Sequence, residues 1–335
     1  MKKKIKLMIP YLLISIILIV GIIIKVYADY LYNSNDVYYE NNSSTLSSTD
    51  LQSAIEELDT KCENRIAASQ QCPEGYKCTE IPYICKRATT LHTENCNSDT
   101  SVTTAYCRGD GYSAGSKITY GQLGTKGSEP SPGDAFDCDV TGTGNRERFY
   151  YVSKYYDTSS KSFNNNYYVF IYYSNTSSGV ADTSHTVAWY ASSNSNSYGP
   201  TTARAQLPTT SQWRNDLLKT RTRNILDGTG SVIKSNFSYE GYAARLLTVQ
   251  ELKSACPNAS QTIGSMSGCN YFLEQTTYST NSYAVYGSWL ESAFSTTHGW
   301  IVNSYQRTAT NNYVSGSSNY SVRPVIEVNK NDVSY

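Results

Sequence analysis

The chain has 335 residues, with 28 Lys and Arg against 28 Asp and Glu, and five of those lysines fall in the first 28 residues, which carry no acid. The remaining body is therefore net acidic, which argues against a nucleic-acid partner, since phosphates call for a basic face. With 39% hydrophobic, 13% aromatic and 17% charged residues, the composition excludes a collagen, a coiled coil and a polytopic membrane protein, and it suffices for a core. The 31 tyrosines supply apolar bulk with a polar tip, a mixture found at binding surfaces.

Lys2, Lys3, Lys4 and Lys6 precede an apolar run from Leu7 to Ile24. Its 18 residues are at the lower end of what spans a bilayer. Lysines stay on the cytoplasmic side, so the rest of the chain is expected outside. Small residues at Val26 and Ala28 fit signal-peptidase cleavage, so residues 1–28 read as a signal peptide or an uncleaved anchor held in the membrane through 7–24.

Residues 29–66 read as a stalk. Thr49 and Gln52 make a capping box, and Leu51, Ala54, Ile55, Leu58 and Cys62 fall on one helical face. One short helix with one apolar face must pack on the main domain or on copies of itself, so 49–66 is a candidate oligomerisation segment. Residues 67–135 read as a Cys-rich insert followed by a linker. Nine cysteines are present: Cys62, Cys72, Cys78, Cys85, Cys96, Cys107, Cys138, Cys256 and Cys269. No pair shows C-x-x-C spacing, and His92, His185 and His298 are scattered, so disulfides are expected and a metal site is not. Cys256 and Cys269 are the easiest local pair.

Residues 136–335 read as the main domain. Phe149–Val152 and Tyr167–Tyr173 are strands by aromatic and β-branched content, the second central and buried on both faces. Asn164–Asn166 and Ser174–Gly179 read as the turns that bracket it. Val187–Tyr190 reads as a further short strand. Thr209 with Gln212 predicts a helix carrying Trp213 and Leu217. Thr248 with Glu251 predicts another, stapled by Leu247 and Leu252 and ended by Pro257. Trp300–Val302 and Val322–Val328 are the last strands, with Pro324 placing the second on an edge or at a bulge. The expected fold class is α+β.

Two resemblances follow from these residues. Asn35–Tyr39 with Leu46–Leu58 is similar to a short strand-plus-helix repeat of phage tail fibres and exported gut-bacterial proteins. Ala244-Arg245-Leu246-Leu247-Thr248-Val249-Gln250-Glu251, then Tyr286-Gly287-Ser288-Trp289-Leu290-Glu291-Ser292, then Ser321-Val322-Arg323-Pro324-Val325 resembles the formylglycine-generating-enzyme-like branch of the C-type-lectin fold. That resemblance implies a C-type-lectin-like domain over 136–335, preceded by the membrane or signal helix, the stalk helix and the Cys-rich insert. Leu207–Trp213 is similar to the first of the three pieces as well. The late cysteines do not sit in the motif that the sulfatase-activating enzyme needs. No E-P-N or Q-P-D is present for calcium-dependent sugar binding.

The capped helix is expected to turn Leu252 and Cys256 inward, Trp289 and Trp300 to be core residues, and Arg323 to meet a carboxylate or backbone carbonyls. No phosphate loop, H-E-x-x-H or G-x-S-x-G occurs, and Glu291 lacks a partner acid in sequence, so neither catalysis nor a cofactor is expected. The reading is a non-enzymatic surface binding protein of a bacterium, membrane-anchored or secreted, for an unknown protein or glycan ligand. A stalk or fibre subunit is the alternative, and a formylglycine-generating-type enzyme is third. In lectin-fold variable proteins, contacts come from the stretch before the final strand. The resemblance thus implies Tyr305, Arg307, Asn311, Asn312, Tyr313, Asn319 and Tyr320 as ligand-binding residues.

Overall fold

The structure is a computed structural model that describes residues 83–95, 117–181, 190–191, 193–257, 264–265, 268–273, 287–303, 308–315 and 320–335. All of these belong to one unit, Pro82–Tyr335. The apolar run 7–24, the stalk helix from Thr49, the strand expected at 187–189, and Cys62, Cys72, Cys78, Cys96 and Cys107 lie outside the described residues. Among the described residues, no helix is long and apolar enough to cross a membrane.

The strands are β1 (Cys85–Arg87), β2 (Thr93–Asn95), β3 (Lys117–Thr119), β4 (Ala135–Cys138), β5 (Glu147–Asp157), β6 (Ser162–Tyr172), β7 (Thr176–Ser177) and β8 (Val180–Ala181). They continue with β9 (Thr222–Leu226), β10 (Val232–Ser238), β11 (Gly264–Ser265), β12 (Gly287–Ala293), β13 (His298–Asn303), β14 (Thr308–Tyr313), β15 (Val325–Asn329) and β16 (Val333–Ser334). The two α-helices among the described residues are α1 (Thr201–Arg204) and α2 (Val249–Ala255). The α+β expectation is thereby corrected: the described chain is mostly β, in several sheets.

One sheet has the order β15-β6-β5-β4-β1-β16, another β11-β14-β13-β12, and β9–β10, β2–β3 and β7–β8 are two-stranded. Side chains alternate across a strand, as they do in the first half of β5 and the second half of β6. Tyr150, Val152, Val169 and Ile171 face one apolar cluster, which also holds Leu252, Trp300, Val302 and Val325. Phe149, Tyr151, Tyr168, Phe170 and Tyr172 face a second, with Phe136, Trp213, Leu217 and Ile326. A third cluster, with Trp289, Ile301, Tyr320 and Phe237, holds residues from the other face of the β13 strand. Both sheets are thus covered on two sides, which is why Tyr167–Tyr173 needs no polar alternation. The strand β6 is flanked by β15 and β5, and β15 is an edge strand with Pro324 just before it.

The helix expected at Thr209 does not form. Thr209 pairs with Tyr242 in an isolated bridge, and its own N–H donates to the Gln212 side-chain oxygen at 2.9 Å, which closes a single turn. The next free N–H, on Arg214, donates to Val140 O at 2.6 Å, so nothing propagates the turn. The expected turn at Asn164–Asn166 is also corrected, because these residues lie inside β6. The chain reverses at Thr158–Lys161 instead, where the Asp157 carboxylate accepts the Ser159 N–H and Lys161 takes φ 55°.

Two disulfides occur among the described residues. Cys256–Cys269 links the end of α2 to the following segment, with 6.2 Å between Cα atoms. Cys85–Cys138 joins directly opposed residues of β1 and β4 at 4.0 Å between Cα atoms. This bridge, with buried Ile118 and Tyr120, ties parts of 83–135 into the core of the main domain.

Candidate functional site

The family-like segments converge on one buried ionic cluster. Thr248 caps α2, its hydroxyl accepting the Glu251 N–H while the Glu251 carboxylate accepts the Thr248 N–H. That reciprocal box fixes Glu251 toward the core, where Arg245 donates to both of its oxygens at 2.9 and 2.6 Å. Arg245 also reaches Glu327 of β15. Arg223 of β9 lies 3.2 Å from Glu327 and 3.2 Å from Glu291 of β12. Tyr239 donates its phenol to Glu291 at 3.0 Å.

Every one of these charged side chains is 0–1% exposed. Two guanidinium groups face three carboxylates, an excess of one negative charge. Burial pushes the Glu291 pKa up, and the nearby Arg223 and Arg245 charges do not reverse it. Burial also opposes ionisation of Glu251, but the Arg245 charge and hydrogen bonds outweigh it and hold that carboxyl below its ordinary value. Glu291 is thus shifted toward the neutral form and Glu251 toward the charged form.

Arg323, the last piece of the motif, donates to Tyr172 O at 3.0 Å and Tyr271 O at 2.9 Å. It meets carbonyls, one of the two partners its apolar neighbours implied. Trp289 and Trp300 are 1% and 3% exposed, and Leu252 and Cys256 are fully buried. The motif therefore builds a core. Its carboxylates are no more than 1% exposed.

The segment expected as the contact surface is differently built. Tyr305, Arg307 and Asn319 lie outside the described residues. Residues 308–313 are strand β14, paired with β13 from His298↔Tyr313 to Asn303↔Thr308. Directly opposed residues share a face. Asn311 opposite Trp300 and Tyr313 opposite His298 are therefore on one face, and Asn312 opposite Gly299 is on the other. Asn312 donates its amide to the Tyr320 hydroxyl at 3.1 Å. Tyr320 is 4% exposed with its ring 5.2 Å from Trp289, so it packs in the core. Tyr313 is 60% exposed and lies against the His298 ring, with 4.0 Å between centroids. Of the four expected residues that are described, Asn311 and Tyr313 share one face while Asn312 and Tyr320 meet on the other. The structure leaves Tyr313, beside His298, as the exposed aromatic corner, with half-buried Asn311 on the same side.

Sequence reasoning found Arg323 and the Thr248–Glu251 box but missed Arg223 and Glu327, whose partners come from distant elements. The signal available was their position: Glu327 lies among Val325, Ile326 and Val328 in a strand with no polar face. Among the described residues, no group of three or more His, Cys, Asp and Glu could hold a metal. No protein-family model matches the chain, and no curated protein or solved structure matches it significantly.

Proposed function

We propose that this chain is a non-enzymatic binding protein exposed outside a bacterial cell, anchored through residues 7–24 or released after Ala28. The observation that carries the reading is the burial of the motif. Arg245, Glu251, Glu291 and Arg323, the groups of the family-like segments able to do acid–base or electrostatic chemistry, are each no more than 1% exposed and all engaged inside the core. Contact with a partner then falls to the tyrosine- and asparagine-bearing surface, of which Tyr313 is the exposed aromatic anchor. Two disulfides fit a chain that matures in an oxidising compartment.

The test is a glycan and protein array probed with oxidised full-length protein and with Tyr313→Ala. The expected result is a defined ligand whose signal drops with Tyr313→Ala while the melting temperature holds. A ligand whose binding ignores Tyr313 would move the contact surface elsewhere.

A further inference from the structure

The start of β5, the end of β6 and the β7–β8 hairpin enclose an open cleft of about 640 Å³. That is within the range of small-ligand sites, roughly 300–1,000 Å³. Its walls are fixed by their own hydrogen bonds. Gln212 donates to Ser178 O at 2.8 Å and accepts the Thr209 N–H at 2.9 Å, which clamps the hairpin. Gly179 follows with φ +79°, where a Cβ would stand 2.1 Å from the Gln212 side-chain oxygen. The aromatic lining is equally locked: Trp213 packs on Tyr172, with 5.4 Å between centroids, and Tyr172 on Tyr173 at 4.7 Å.

Two guanidinium groups, Arg146 and Arg148, line this cleft together with one carboxylate, Glu147. Arg146 donates to the carbonyls of Tyr83, Ile84 and Asp137, at 2.8, 2.9 and 3.1 Å. Carbonyls orient the group without neutralising it. Arg148 gives its Nε–H to Asp137 at 2.8 Å, and its Nη1, buried in a side chain only 5% exposed, meets no acceptor. A buried donor without an acceptor is costly, typically about 1–3 kcal/mol. Glu147 is already engaged by the Tyr172 hydroxyl. The two guanidinium groups are balanced in charge by Glu147 and Asp137, but their donors exceed the acceptors, and the Arg148 Nη1 is the one left over. Val180, 63% exposed, adds an apolar rim.

We propose that this cleft binds a small organic monocarboxylate, its carboxylate toward Arg146 and Arg148 and its apolar body against Tyr173 and Val180. The guanidinium fork matches a carboxylate in shape and charge. A dianion would need more positive charge than two guanidinium groups already facing Glu147 and Asp137 leave. This site shares no residue with the Tyr313 corner and does not rest on it.

The test is calorimetric titration of oxidised full-length protein with 3-phenylpropanoate, its amide 3-phenylpropanamide, and phenyl phosphate. The acid should bind saturably, and the amide should be weaker by about tenfold or more. Val180→Glu, at an exposed rim position, should weaken the acid about tenfold with an unchanged melting temperature, as should Arg148→Gln if it folds. Tyr313→Ala should leave the titration unchanged. Equal binding of acid and amide, tighter binding of phenyl phosphate, an unaffected Val180→Glu, or no saturable heat with the acid would each overturn the proposal.

Discussion

Arg245 grips Glu251, six residues away in sequence and held toward it by the Thr248 capping box, through two hydrogen bonds of 2.9 and 2.6 Å inside the core. The pair couples a local signal to a long-range one, because Arg245 also holds Glu327 of the last long strand. Removing one partner of a buried ion pair strands the other, at about 3–5 kcal/mol. Glu251→Gln should therefore lower the urea midpoint by most of the available stability. A change below about 0.5 kcal/mol, the range of ordinary surface substitutions, would show that the pair does not hold the fold.

Glu291 should behave in the opposite way. Its folded pKa lies above the unfolded value of 4.5, so the native state binds more protons than the unfolded state between the two, and stability falls as pH rises through that window. The folded pKa of Glu251 lies below 4.5, so its contribution is present above 4.5 and is lost as pH falls through the folded value. Glu291→Gln should remove the loss on the rising side and keep the acid-side loss. Urea midpoints from pH 2 to 8 decide the matter; parallel curves for wild type and Glu291→Gln would refute it.

Trp289 and Tyr313 should separate stability from recognition. Trp289 is 1% exposed and packs on Tyr190 and Tyr320, whereas Tyr313 is 60% exposed. Trp289→Ala should cost about 3–5 kcal/mol. Tyr313→Ala should cost within about 0.5 kcal/mol. A comparable loss at both positions would make the Tyr313 corner structural.

The two disulfides should differ in worth. Cys85–Cys138 spans 53 residues and Cys256–Cys269 spans 13. Loop-closure entropy gives about 4 and about 3 kcal/mol respectively. Paired Cys→Ser variants measured by chemical denaturation should follow that order, and a reversed order would mean that native packing, not chain entropy, sets their value.

Exposure outside the cell has its own test. Protease added to intact cells should degrade the Pro82–Tyr335 unit, since lysines precede the apolar run and the body follows it. Survival of that unit until the cells are lysed would place it inside.

The strands were legible where one residue type dominated. Tyr167–Tyr173 announces a doubly buried strand because its run contains no polar residue, and α2 announces itself through Thr248, Glu251, Leu247 and Leu252. The Cys256–Cys269 bridge was legible because the two cysteines are close in sequence. The Thr209–Gln212 pattern misled because its hydrogen bonds are satisfied by a single turn and by Val140. Asn164–Asn166 misled because the chain does not reverse there: Asn164 pairs with Tyr155, Asn165 and Asn166 fall in a bulge where the Asn166 N–H donates to the Asn164 side chain, and β6 runs on to both sides. The contact residues were least legible. Whether Asn312 or Asn311 faces outward depends on the register with β13, and Tyr320 looks like a surface tyrosine until Trp289 is placed beside it.

The central claim, that the chain binds and does not transform its partner, is tested most directly by recovering the partner. Once the array yields a ligand, it is incubated with excess oxidised full-length protein and its mass is measured by mass spectrometry. The account predicts a ligand bound and returned with unchanged mass; a time-dependent mass change that vanishes without the protein would contradict it.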